Sequence, residues 1–208
     1  MSFDTAFVRD KLSYQAISLG VVALVASAAL SVGNKLTGPA IAEAEARDLQ
    51  SSLSQVLPEG SYDNELLKDT LDVKVSRGDT PATVLVYRAR KAGAVTGAVF
   101  RMARRGYAGD IVVLMGVDAK GTLLGVRVIK HQETPGLGDK IDIAKTSWIL
   151  DFNGKSLDNL PADKWAVKKD GGVFDQFAGA TITPRAVVSA VKGGLDFFAA
   201  HRDEIIGD

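Results

Sequence analysis

From Gln15 to Gly33 the chain carries no charged residue and presents Ile17, Leu19, Val21, Val22, Leu24, Val25 and Leu30 in close succession. This run of roughly 19 residues would measure about 28 Å as a helix, near the thickness of a bilayer core, and predicts a transmembrane segment over 15–33. Small residues are frequent within it, among them Gly20, Ala23, Ala26, Ser27, Ala28, Ala29 and Ser31, and such a surface lets another transmembrane helix come close. Two other readings fit parts of the same pattern. Ala26-Ser27-Ala28 is similar to a signal-peptide cleavage site, but the apolar run continues past it and exceeds the roughly 7–15 residues of a signal core, so an anchor is expected. A buried core helix is the remaining alternative, although uncharged runs of this length are uncommon in soluble domains. Arg9 and Lys11 before the run and Lys35 after it give a slight cationic bias. That bias places residues 1–14 in the cytoplasm and the bulk of the chain on the other side.

Past Pro39 the pattern changes. Ile41 to Leu57 reads as a charged, partly amphipathic helix that Pro58-Glu59-Gly60 stops, so residues 34–60 are expected to form a stalk. Within 61–208 the alternation becomes that of strands, at Val73–Val75, Thr83–Ala89 and Val95–Arg101, with Ile111–Val117 pairing with Leu123–Ile129 across Asp118-Ala119-Lys120-Gly121. Ile141–Ile149 and the segment after Thr183 read as helices. Thr183 followed by Pro184 has the form of an N-cap and a first helical position, and Val187, Val188, Val191 and Leu195 then share one face. An antiparallel sheet with flanking helices, rather than repeating strand-helix units, makes the fold class α+β. A chain of 208 residues, 46% of them hydrophobic, can supply one such core beside the anchor.

Composition removes several function classes. Lys and Arg number 25, as do Asp and Glu, so there is no basic surplus for a phosphate backbone and no nucleic-acid partner is expected. The absence of cysteine excludes disulfides, a cysteine-ligated iron-sulfur cluster and c-type haem attachment. Only His131 and His201 could contribute imidazole, and His201 lies in a charged tail, so no protein-bound metal is expected. Neither a Gly-x-Ser-x-Gly elbow nor a phosphate loop ending in Gly-Lys-Ser/Thr is present, which leaves hydrolase readings without support.

Two stretches carry chemistry. In Asp175-Gln-Phe-Ala-Gly-Ala-Thr181-Ile-Thr183-Pro184, Gly179 and Ala180 leave the Thr181 hydroxyl open to a bulky group. The helix that begins there would offer its first free N–H groups to a phosphate on Thr181. By local physics alone the stretch is also satisfied as a turn into a well-capped helix. In His131-Gln-Glu133-Thr134-Pro135-Gly136-Leu137-Gly138-Asp139-Lys140, the proline and glycines make a constrained loop whose backbone can approach a flat ring. Glu133, Thr134 and Lys140 would supply polar contacts there; an exposed, solvated Glu133–Lys140 pair is the plainer alternative.

The first stretch resembles the Asp-x-x-(Ser/Thr)-Gly-Ala-Thr signature of the FMN-binding domain family, with Ala178 where Ser or Thr is usual. The second resembles the loop that lies against the flavin in that family. With anchor, stalk, sheet, loop and threonine in the same order, the whole chain is similar to the G subunits of bacterial Rnf ion-translocating electron-transport complexes. The resemblance implies FMN attached covalently to Thr181 through its phosphate, by a flavin transferase that recognises Asp175, Gly179, Ala180 and Thr181. It implies that Glu133, Thr134, Gly136, Leu137, Gly138, Lys140, Gly179, Ala180 and Thr183 border the cofactor. It further implies a single-pass protein of the bacterial inner membrane with its soluble domain on the periplasmic side. Such a protein is an electron carrier rather than a stand-alone catalyst, working beside the other membrane and peripheral subunits of a complex that links ferredoxin and NAD. The C subunit of the sodium-pumping NADH:quinone oxidoreductase is the alternative within the family. Outside it stands a membrane-tethered assembly or sensory module without flavin, which Ala178 leaves open. Trp148, Trp165 and Phe174 each offer an aromatic face to a ring, and the sequence does not choose among them.

Overall fold

The computed structural model describes residues 12–77 and 80–207. Arg9 and Lys11, with most of the expected cytoplasmic segment, lie outside the described residues. The chain divides into two compact units, Met1–Asp48 and Leu49–Asp208.

Helix α1, Leu12–Ser54, makes up the described part of the first unit, and its residues 49–54 belong to the second. Its stretch Tyr14–Ile41 is long and apolar enough to cross a membrane, with mean hydropathy 2.1 in a window that buries no residue. A core helix would bury such side chains, so the core-helix alternative is removed; Leu19 is 71% exposed and Leu30 75%. The helix runs on through Pro39 rather than restarting after it, forgoing the hydrogen bond that the missing N–H would make. It also stops at Ser54, short of Leu57. There the Ser54 hydroxyl donates to the Ser51 carbonyl and the chain turns, which carries Val56 and Leu57 into the core of the second unit.

The second unit is built on five antiparallel strands in simple meander order, β1 (Thr70–Arg77), β2 (Thr80–Lys91), β3 (Ala94–Arg105), β4 (Asp110–Asp118) and β5 (Leu123–Lys130). All five expected strands are present and longer than the apolar pattern indicated, because their ends are polar. The β2–β3 hairpin is closed by Ala92 and Gly93, both at positive φ (52° and 85°), the primed-turn geometry that matches strand twist. Between β4 and β5, the Asp118 carboxylate accepts the N–H groups of Lys120 and Thr122 at 2.8 Å each and fixes the turn.

Alternation sends the two faces of the sheet into two cores. Val86, Ala98, Phe100, Val113, Met115 and Val126 point to one side, where helix α2 (Ile182–Ile206) covers them with Val187, Val191, Leu195 and Phe198. Tyr87, Ala89, Val99 and Leu114 point to the other side and meet Leu53, Val56, Leu57 and Leu66. Gly116 and Gly125 allow that approach. A Cβ on Gly116 would collide with the Val56 carbonyl oxygen, and one on Gly125 would sit 2.8 Å from Val56 Cα.

The expected helix over Ile141–Ile149 is replaced by 3₁₀ turns at Asp139–Ile141 and Trp148–Phe152. Local side chains outcompete the helix: the Thr146 hydroxyl donates to the Lys140 carbonyl at 2.7 Å and accepts the Trp148 N–H at 3.2 Å, closing a turn. This irregular layer carries an aromatic cluster. Phe152 stacks on Phe174 with centroids 4.3 Å apart, and Trp148 meets Phe177 edge to face at 5.2 Å. The Trp148 indole N–H donates to the Asp175 carbonyl at 2.9 Å, which pins the segment leading into α2.

Candidate functional site

Three segments far apart in sequence converge beside the start of α2: the β3–β4 turn, the loop after β5, and residues 177–183. The β3–β4 turn is Gly106-Tyr107-Ala108-Gly109, closed by the Gly106 N–H donating to the Gly109 carbonyl at 2.7 Å. The loop after β5 turns at Gly136 (φ 77°), where the N–H groups of Leu137 and Gly138 both donate to the Thr134 carbonyl, at 3.1 and 3.0 Å. The third segment turns at Gly179 (φ 79°), with the Ala180 N–H donating to the Phe177 carbonyl at 3.1 Å.

Glu133 joins them. It is only 5% exposed; one carboxylate oxygen accepts the Ala108 N–H at 3.1 Å and the other accepts the Thr183 hydroxyl. Its own N–H donates to His131 Nδ1 at 3.1 Å, so the imidazole proton sits on Nε2 and goes to Asp142 at 3.0 Å. Two glycines close against the carboxylate. A Cβ on Gly106 would lie 2.6 Å from Glu133 Oε1, and one on Gly138 would lie 2.8 Å from Glu133 Cβ and 2.9 Å from Thr183 Oγ1.

This arrangement removes one alternative and corrects one expectation. Glu133 is not a solvated partner of Lys140. Nor does Thr183 cap α2: the residue preceding the helix is Thr181, there is no side-chain cap, and the Thr183 hydroxyl is spent on Glu133 instead. The first N–H groups of the helix therefore stay without a side-chain acceptor, beside Thr181.

Between the three segments opens a cleft of about 250 Å³. Of the residues singled out in the sequence, Glu133, Thr134, Leu137, Gly138, Gly179, Ala180, Thr181 and Thr183 line it. Gly136, Lys140 and Asp175 do not. Gly136 shapes the loop from outside the wall, the Lys140 carbonyl is taken by Thr146, and the Asp175 carboxylate is exposed and ion-paired with Lys168 at 2.6 Å. Tyr107 and Ile182 complete the wall and were not legible as site residues. The signal for Tyr107 was an aromatic set between glycines in a strand connection; it is 68% exposed on a turn that Glu133 fixes from below. Trp148, Trp165 and Phe174 are 7%, 6% and 1% exposed and belong to the core.

Chemically, the cleft offers an apolar rim of Tyr107, Leu137 and Ile182, a buried acid, and the electropositive end of α2 next to a threonine hydroxyl. Its volume lies just under the range of about 300–1,000 Å³ usual for enclosed ligand sites. Gly179 leaves open space beside Thr181, with only Leu137 Cδ2 within 3.6 Å of where a Cβ would be. The helix end beside it has no side-chain cap, an arrangement that favours an anion. Among the described residues no group of three or more His, Cys, Asp or Glu could hold a metal ion.

Comparison with known proteins agrees with this geometry. Residues 106–196 match the FMN-binding domain family, a span that contains every residue of the cleft. The chain is 49% identical over 191 residues to the G subunit of the ion-translocating oxidoreductase complex of Stutzerimonas stutzeri, covering 92% of this chain and 82% of that one. It is 46% identical over 206 residues to the corresponding G subunit of Pseudomonas aeruginosa, covering 97% and 95%. Among solved structures it is similar to Shewanella oneidensis NqrC, at 21% identity and a TM-score of 0.49 over 70% of this chain and 76% of that one. High identity along nearly the full length shows the family: the chain belongs to the G subunits of ion-translocating oxidoreductase complexes.

Proposed function

We propose that this protein is a single-pass membrane-anchored electron carrier that bears FMN on Thr181, through a phosphoester, within an ion-translocating ferredoxin:NAD oxidoreductase complex of the Rnf type. The observation that carries the reading is the position of Thr181. Its side chain opens into the cleft at the uncapped start of α2, where free backbone N–H groups and the helix dipole favour a phosphate. FMN, when bound, supplies the redox centre, and the protein supplies attachment, orientation and field. Thr134, Leu137 and Gly138 form the loop wall, while Tyr107 and Ile182 stand at the rim where the outer part of the cofactor would emerge.

The names of the relatives support membership in a multi-subunit oxidoreductase, and the apolar stretch Tyr14–Ile41 supports a membrane anchor. The cationic bias before the span supports a cytoplasmic N-terminus and an extracytoplasmic flavin domain. Covalent attachment suits that side of the membrane, since a noncovalent flavin lost there would meet no pool from which to rebind. Asp175, exposed beside the attachment segment, is accessible to a flavin transferase.

The test is flavin fluorescence of the denatured protein in a gel after co-expression with a flavin transferase. Thr181→Ala abolishes the signal with the fold intact, and Asp175→Ala weakens it. A Thr181→Ala band as bright as the parent contradicts the attachment site, and undiminished signal from Asp175→Ala removes that residue from recognition.

A further inference from the structure

Glu133 is the one ionisable acid in the wall of the cleft among the described residues, and it is 5% exposed. Each of its oxygens accepts a hydrogen bond, from the Ala108 N–H and the Thr183 hydroxyl, which is how an ionised carboxylate is satisfied. Both donors are neutral, and among the described residues no Lys or Arg forms an ion pair with it. Gly106 and Gly138 lie against it too closely for a Cβ at either position. A negative charge fixed in this way, without a cation to cancel it and shielded from solvent, opposes further negative charge arriving in the same cleft.

We propose that Glu133 is a tuning residue that lowers the reduction potential of the flavin bound in the cleft. The proposal rests on the flavin reading of the site. Thr183, by donating to the carboxylate, holds one of its oxygens in place. The loop and the β3–β4 turn hold that charge at a fixed place in the wall.

The experiment is a reductive titration, with dithionite and indicator dyes, of the full-length flavinylated protein in detergent, comparing the parent with Glu133→Gln. Glutamine keeps the size and removes the charge. Intact mass is recorded on the same samples. The expected result, read on the FMN-loaded fraction, is a reduction equilibrium shifted about tenfold towards the reduced flavin, a potential raised by about 59 mV for one electron. A merely structural Glu133 would change melting or loading and leave the potential where it was. An unchanged or lowered potential in the FMN-loaded protein overturns the proposal while leaving the flavin reading intact. Parent protein without FMN overturns the flavin reading, and the proposal with it. If Glu133→Gln does not fold, Glu133→Met serves: it fills a similar volume without the charge, so the potential rises, and no rise overturns the proposal.

Discussion

Replacing Thr183 by valine separates two roles for its hydroxyl. The side chain is 1% exposed and donates to the Glu133 carboxylate, so valine keeps the shape, deletes the donor and strands a buried acceptor. A hydrogen bond to a charged group is worth about 1.5–3 kcal/mol, and the added methyl returns about 0.8 kcal/mol. The net loss is therefore about 1–2 kcal/mol, which for a domain of this size lowers Tm by about 2–8 °C. Trp148 and Trp165 both lie in the second unit, so near-UV circular dichroism of the full-length protein in detergent reports on that unit. The decisive quantity comes from the cycle with Glu133→Gln. If the two side chains act on each other, the double variant loses less than the sum of the single ones, by about 1 kcal/mol. A threonine that capped α2 would also cost about 1 kcal/mol on removal, but its effect would add to that of Glu133→Gln within about 0.3–0.5 kcal/mol. Additivity, or a Thr183→Val variant as stable as the parent, refutes the clamp.

Other outcomes follow from the same packing. Gly138→Ala keeps a backbone conformation alanine accepts (φ −87°) but drives a Cβ into Glu133 and Thr183. It should cost about 1–3 kcal/mol and lower FMN incorporation, read by intact mass. Gly136→Ala, at φ 77° in open space, should cost about 1–2 kcal/mol of backbone strain and leave incorporation unchanged. Asp69 lies below the usual carboxylate range because, although burial raises it, hydrogen bonds from Arg90 and Arg88 outweigh that effect. The stability this contributes is present above the unfolded value of about 3.9 and is lost as pH falls through the lower, folded value. Asp69→Asn should therefore cost about 2 kcal/mol at pH 7 and flatten the decline below pH 4 in urea titrations; a decline as steep as the parent's would exclude Asp69 as its source.

How far the sequence could be read depended on the kind of force at work. Strand alternation is a local consequence of burying one face, and so the β4–β5 hairpin was visible from Ile111–Val117, Leu123–Ile129 and the turn between them. The uncharged run from Gln15 was equally direct. The layer from Asp139 to Phe174 was not, because it is shaped by individual bonds such as Thr146 to Lys140 and Trp148 to Asp175 that leave no periodic trace. The site divided in the same way. Thr181 and the loop around Gly138 were legible from glycines, small residues and a known signature. The burial of Glu133 was not, since it depends on donors 25 and 50 residues away in the chain. Tyr107 entered the wall for the same reason: its turn reaches the cleft only once the sheet has formed.

Whether Thr181 carries FMN through a covalent bond is read from the intact mass of the fully denatured protein. After co-expression with a flavin transferase, the parent should show an increment equal to FMN esterified to one residue, and Thr181→Ala should run at the mass of the bare polypeptide. An increment that persists in Thr181→Ala, or a parent with no increment at all, contradicts covalent attachment at Thr181.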